Sequence, residues 1–307
     1  MLAVKMNTSS SSLDNVKPRM VDGKIVWSGG PSLKQWFALP ESIMYYMAKN
    51  PCTSEVYLKL IQSCKFFFEK MPLLVAADLH GKTKLCPYDE EECGENDQGC
   101  CVEIDMDKLS NKIWITNMLY LENENISTFT SLIYPKLYRC QKANLTIYGE
   151  VIQFDDFEKC APFLTDIDLH NVQTESVMLD KLIELCPKVK TFKFFFGSNN
   201  LSMIDATTVN NICKLKNLQH LESFILWNIP HVINVEDIST FIKDHPAAKI
   251  LLSFNDPISE EYKIQLEALI NTVIESQVLK CQIIYSGQNN GKKKILYERY
   301  HVEKLKC

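Results

Sequence analysis

At 307 residues the chain is long enough to bury about three quarters of the surface its unfolded form would expose, so its core needs no disulfide or metal staple. A composition of 46% hydrophobic and 23% charged residues excludes a mainly disordered or fibrous chain. A net charge of -5 gives no general attraction to phosphate backbones, so no nucleic-acid partner is expected without a local basic patch.

In chain order, the first twenty residues carry Lys5, a serine run from Ser9 to Ser12, Lys17 and Arg19. No apolar stretch there suits a signal-peptide core. The richest apolar window, Val56 to Leu79, is broken by Lys59, Lys65, Glu69 and Lys70, so no membrane span is expected. An intracellular protein, cytoplasmic or nuclear, is the expectation. The twelve cysteines are scattered instead of forming a dense frame, and most read as small buried hydrophobes in a reducing compartment. Without a secretory signal, the N-x-S/T sequons at Asn7, Asn125, Asn144 and Asn200 read as chance matches.

Residues 1–31 are polar and read as a mobile tail. Residues 32–81 read as a helical module. Pro40 stands where a first helical turn tolerates it, Ile43, Met44, Met47 and Ala48 share a face, and Asn50 and Pro51 stop the helix. Thr53 or Ser54 can cap a second helix through Val56, Leu60, Ile61 and Cys64, and "CKFFFEKMP" makes a third, ended by Pro72. Residues 82–107 are acidic and contain Cys86, Cys93, Cys100 and Cys101. Their spacing lacks the close C-x2-4-C knuckle of a structural zinc site, so a solvated loop is expected, with no metal and no cofactor.

Residues 108–307 repeat. An L-x-x-L-x-L pattern recurs as "SNKIWI", "KANLTI", "LTDIDL", "VKTFKF", "LESFIL", "AAKILL" and "VLKCQI". The copies recur at roughly the period of leucine-rich repeats. Helical text follows them at Phe154–Cys160, Ser176–Cys186, Ala206–Leu215, Val235–His245 and Ser259–Glu275. Strand then helix, repeated with right-handed crossovers, gives an α/β fold of stacked parallel strands and outer helices. After the last copy, Asn289-Asn290-Gly291 between two apolar runs suggests a terminal hairpin, with Lys292, Lys293 and Lys294 at its solvated tip.

A short module opening "LPESIMYYMAKNP", continuing "EVYLKLIQSCKFFFEK" and followed by irregular leucine-rich repeats resembles the divergent F-box-like proteins of nematodes, over nearly the whole chain from Leu39. The third helix departs from the family pattern, with Phe66, Phe67 and Phe68 after Cys64-Lys65 and no tryptophan, and "NPCTSE" replaces the usual Asp-containing turn. What the resemblance implies is a substrate-recognition subunit of a Skp-cullin-F-box ubiquitin ligase. A Skp-type adaptor protein would dock on Leu39, Pro40, Ile43, Met44, Met47, Val56 and Leu60, and the repeats would capture a protein target. The alternative is a repeat-based binding scaffold, outside any ligase, whose helical module only caps the repeats.

No GxxxxGK[ST], GxGxxG, GxSxG or HExxH stretch occurs, so no catalytic site is expected. The most enzyme-like trio, Asp166, Asp168 and His170, falls on positions that a repeat strand turns to solvent. The same register lines up Trp114, Thr146, Asp168, Lys193, Ile225, Leu251 and Gln282 in one outward row, and Thr116, Tyr148, His170, Phe195, Trp227, Ser253 and Ile284 in the next. Large apolar side chains on an exposed sheet mark a binding surface, so Asp168, His170, Lys193, Phe195, Ile225, Trp227 and Leu251 are the candidate target-binding residues.

Overall fold

The structure is a computed structural model that describes residues 18–21, 24–27, 38–81, 84–86, 101–122, 126–149, 151–174, 177–197, 200–255 and 257–301. The chain divides into two compact units, Met1–Tyr120 with Thr128–Lys142, and Leu121–Ser127 with Ala143–Cys307. The first mixes helices with parallel and antiparallel strand pairs, and the second mixes helices with a mainly parallel sheet.

In the first unit, β1 (Pro18–Val21) and β2 (Lys24–Trp27) pair antiparallel within the span read as a tail. The rest of that span lies outside the described residues. Three short helices follow: α1 (Glu41–Lys49), α2 (Ser54–Ser63) and α3 (Lys65–Lys70). The Pro40 carbonyl accepts the first amides of α1, from Ile43 at 2.9 Å and Met44 at 3.1 Å. Thr53 Oγ1 caps α2 by accepting from the Val56 amide at 3.2 Å.

The helical reading of residues 32–81 fails at its end, where Leu73–His80 forms β3. A short continuous apolar run fits a buried strand as well as a buried helix, and here strand pairing decides it. β3 pairs in parallel with β6 (Lys112–Glu122), which pairs in parallel with β7 (Leu137–Cys140). The C-terminal end of β3 also carries β4 (Lys84–Cys86) and then β5 (Val102–Glu103), both antiparallel. The register that sets Lys84 opposite Glu103 and Leu85 opposite Val102 brings Cys86 opposite Cys101, and these two are joined as a disulfide. The segment read as a solvated loop thus carries a disulfide, and its Cys93 and Cys100 lie outside the described residues.

The second unit carries six parallel strands in the order β8 (Ala143–Tyr148), β10 (Leu164–His170), β12 (Thr191–Phe195), β13 (Ser223–Ile229), β14 (Lys249–Phe254) and β15 (Cys281–Ile284). A separate small parallel pair joins β9 (Val151–Ile152) to β11 (Gln173–Thr174). The intervening text forms α4 (Phe154–Cys160), α5 (Leu179–Glu184), α6 (Thr208–Cys213), α7 (Val235–Asp244) and α8 (Glu260–Glu275). The hairpin expected after β15 is instead α9 (Asn290–Tyr300). Asn289 decides it: its side chain accepts from the Gly291 and Lys292 amides and so opens a helix instead of a two-residue turn.

The inward rows run in register across all six strands, Leu145, Ile167, Phe192, Phe224, Ile250 and Cys281 in one and Ile147, Leu169, Phe194, Leu226, Leu252 and Ile283 in the next. Every one of these side chains is buried. Phe224 meets Phe241 of α7 at 4.7 Å and Phe254 meets Tyr262 of α8 at 5.8 Å, so the helices cover this face. Where strands end, the chain turns through the left-handed region at Gly149, Asn171 and Asn228, residues suited to it. Gly197 has no room for a side chain, because a Cβ would lie 1.8 Å from Asn171 Oδ1. Asn200, buried, closes the same region by accepting from the Gly197 amide at 2.8 Å and donating to the Val172 carbonyl at 3.0 Å. That burial also removes Asn200 as a glycan acceptor.

Replacing Asn200 by Ala leaves the half-buried Gly197 amide and the buried Val172 carbonyl without this partner, which should lower unfolding free energy by about 1–3 kcal/mol. Urea denaturation of wild type and Asn200→Ala measures it, and equal midpoints would contradict this role for the side chain.

Candidate functional site

In the first unit the helical module has two faces with different fates. Met44, Ala48, Tyr57, Ile61, Phe67 and Phe68 are buried in one cluster with Leu73 and Trp114 of the sheet. The Tyr57 hydroxyl holds this junction, donating to the Met71 carbonyl at 2.8 Å and accepting from the Leu73 amide at 2.9 Å. β7 reaches back over the helices. Tyr138 donates to the Lys49 carbonyl at 3.3 Å, Arg139 donates to the Pro51 carbonyl at 2.9 Å, and the Arg139 guanidinium lies 4.9 Å from the Trp114 ring. A cation and a hydroxyl thus meet carbonyls at the C-terminal end of α1, where the helix dipole favours them.

The other face points to water. Leu39 is 49% exposed, Ile43 45% and Val56 37%, and Pro40 is exposed, whereas Met47 and Leu60, candidates for this face, are half-buried and pack against the inner cluster. Met44, a candidate for the same face, is 6% exposed and belongs to the inner cluster. One step along a helix rotates a side chain by about 100°, enough to carry Met44 from the free side of Ile43 to the buried side. Tyr45 and Tyr46 are exposed as well, and the apolar spacing at the start of α1 did not single them out.

In the second unit the face opposite the helices carries a stack of rings. Tyr148, His170, Phe195 and Trp227 stand on adjacent strands in register, with ring centroids 4.4, 4.0 and 5.8 Å apart in that order. Tyr148 is exposed and the other three are half-buried. Beside the stack, the Asp168 carboxylate lies 2.7 Å from His170 Nε2 and accepts from Lys193 Nζ at 3.1 Å. One outward row is therefore made of rings and the row beside it carries the Asp168–Lys193 ion pair, with Ile225, half-buried, next to Lys193.

Two features differ from the sequence reading of these rows. Leu251 is 6% exposed, and Ser253 and Gln282 are also buried, so the open face ends before β14 and Leu251 leaves the set of candidate contact residues. Strand alternation assigns a side of the sheet but not whether neighbours close over it. Trp114, in the corresponding row of the first unit, is likewise covered, there by the helices. Tyr148 is the residue that the candidate set lacked, although its register position was legible.

The described residues hold no group of three or more His, Cys, Asp or Glu placed to hold a metal ion. Among them, no helix is long and apolar enough to cross a membrane. No protein-family model matches the chain, and no curated protein matches it either.

Burial pushes the Tyr57 hydroxyl up to about 12 from an ordinary value of 10.0. A phenol whose folded value lies above its unfolded one contributes stability that is present below pH 10 and is lost as pH rises towards 12. Tyr57→Phe should cost about 1–3 kcal/mol at neutral pH by leaving the Met71 carbonyl and the Leu73 amide unpaired. The gap between wild type and variant should then narrow between pH 10 and 12, measurable as converging denaturant midpoints; a constant gap across that window would contradict the assignment.

Proposed function

We propose that the chain is a substrate-recognition subunit of a Skp-cullin-F-box ubiquitin ligase, with the helical module as its adaptor-docking element and the ring-bearing sheet face as its target-binding surface. The observation that carries this reading is the division of labour within α1 and α2. One face is anchored by Met44, Ala48, Tyr57 and Ile61, and the opposite one leaves Leu39, Ile43 and Val56 in water. Apolar side chains held out on a rigid support are what a partner protein buries. The resemblance of "LPESIMYYMAKNP" and the following repeats to F-box-like proteins names that partner as a Skp-type adaptor. For the target surface, the half-buried Phe195, Ile225 and Trp227 supply aromatic and aliphatic anchors, and the Asp168, His170 and Lys193 group supplies polarity beside them.

The same inner cluster favours a second reading, a binding scaffold in which the helices serve only to cover one side of the sheet. The two readings part at the exposed stripe. Burying a side chain such as Ile43 or Val56 contributes roughly 1.5–3 kcal/mol, so replacing both by Asp should weaken adaptor binding by at least a hundredfold. Neither residue belongs to the buried cluster, so the variant should keep its fold. Titration calorimetry with a purified Skp-type adaptor tests it, and an unchanged affinity in the folded Ile43→Asp, Val56→Asp protein would leave the scaffold reading.

For the sheet face, Trp227→Ala with Phe195→Ala should leave adaptor affinity unchanged while removing the proteins that co-purify with wild type. An anchor of this kind is worth about 2 kcal/mol or more, on the order of thirtyfold in affinity. Retention of the same co-purifying set by the double variant would move the target surface elsewhere.

A further inference from the structure

We propose that the Cys86–Cys101 pair is a redox-responsive clasp that fixes β5 to β4, at the edge of the first unit's sheet, when oxidised and releases β5 when reduced. Three observations converge on it. The two cysteines face each other across an antiparallel pair and are joined, with a sequence separation of 15. The strands they join are short, β4 having three residues and β5 two, and β5 is held to β4 through two register pairs, Lys84 with Glu103 and Leu85 with Val102. So short a ladder offsets little of the entropy of closing the chain between them, and the covalent bond supplies the rest.

The third observation is access. Cys86 is buried, whereas Cys101 is half-buried, so a reductant would approach the pair from the Cys101 side. Of the other thiols, Cys160, Cys186 and Cys281 are buried, and burial pushes Cys281 up to about 12 and Cys213 up to about 11, whereas Cys52 is exposed. The reaction needs two thiols, either the pair of a dithiol of the thioredoxin class or those of two glutathione molecules. A thiolate of the reductant attacks Cys101 sulfur, the S–S bond breaks, and Cys86 leaves as a thiolate that takes up a proton. The second thiol then displaces Cys101, which is protonated in turn, so two electrons and two protons pass to the pair. In the intracellular setting of the proposed function, a disulfide is characteristically of this transient, sensing kind. This part of the inference rests on that setting, whereas the release of β5 does not.

Hydrogen exchange read by mass spectrometry tests it on the full chain, oxidised and then reduced with dithiothreitol. Reduction should speed exchange of residues 101–103 on the order of a hundredfold, and leave β10 and β12 unchanged. Equal exchange of that segment in both states would overturn the clasp. Incubation in glutathione buffers with alkylation of free thiols supplies the second readout. The pair should open in reduced and close in oxidised glutathione; a pair that stays closed in reduced glutathione, or never closes, would overturn its redox response. Cys86→Ser with Cys101→Ser should reproduce the reduced pattern in either buffer. Should that variant lose protection in β10 and β12 too, the comparison on the wild-type chain decides. Neither readout involves the adaptor, so this inference and the ligase reading can fail separately.

Discussion

The second unit depends on one constraint, that parallel strands about 4.8 Å apart must keep their side-chain alternation in step. A slip of one residue on any strand would send Phe192 or Phe224 into water and bring Lys193 or Asp168 into the core. The register avoids this at every joint, so that two continuous dry rows run from β8 to β15 under the helices. The aromatic stack on the other face follows from the same alignment. Tyr148, His170, Phe195 and Trp227 need no special device to meet, because a common register and a spacing close to the thickness of stacked rings bring them together.

What holds the register is polar. Asn171 and Asn228 each take a left-handed turn, Asn228 donates to the Phe196 carbonyl of the neighbouring repeat at 3.3 Å, and buried Asn200 ties two successive strand ends. Between repeats, Asn217 donates to the Ile183 and Cys186 carbonyls at 2.7 and 2.9 Å and so satisfies the end of α5. Asparagine serves at these points because one short side chain offers both a donor and an acceptor.

Much of this was legible in the amino-acid sequence. Strict alternation in "LTDIDL" and "LESFIL" assigns Ile167, Leu169, Phe224 and Leu226 to the core, and Thr53 before "SEVYLKL" marks a helix start. What stayed hidden depends on neighbours distant in sequence. "LLVAADLH" becomes a strand because β6, some forty residues later, offers it a pairing edge. Met44 and Leu251 are buried by elements that no local spacing reveals. The Cys86–Cys101 bond is invisible from spacing because it depends on the pairing of β4 with β5. Asn289-Asn290-Gly291 suits both a hairpin turn and a helix cap, and only the closed bonds to the Gly291 and Lys292 amides separate the two.

The two tryptophans with described surroundings sit in unlike places, and this makes the chain optically two-toned. Trp114 is dry, with Tyr57 and Tyr138 rings around it and a guanidinium over its face. Trp227 is half in water with one side against Phe195. An indole in an apolar pocket emits at shorter wavelength than one that water can relax around. Shielding of Trp114 lasts only while the helices remain on the sheet, and solvation of Trp227 lasts only while the ring-bearing face stays uncovered. Loss of the helical packing would therefore shift the Trp114 contribution to the red, and occupation of the outer face would shift the Trp227 contribution to the blue, each within a spectrum shared with Trp27 and Trp36.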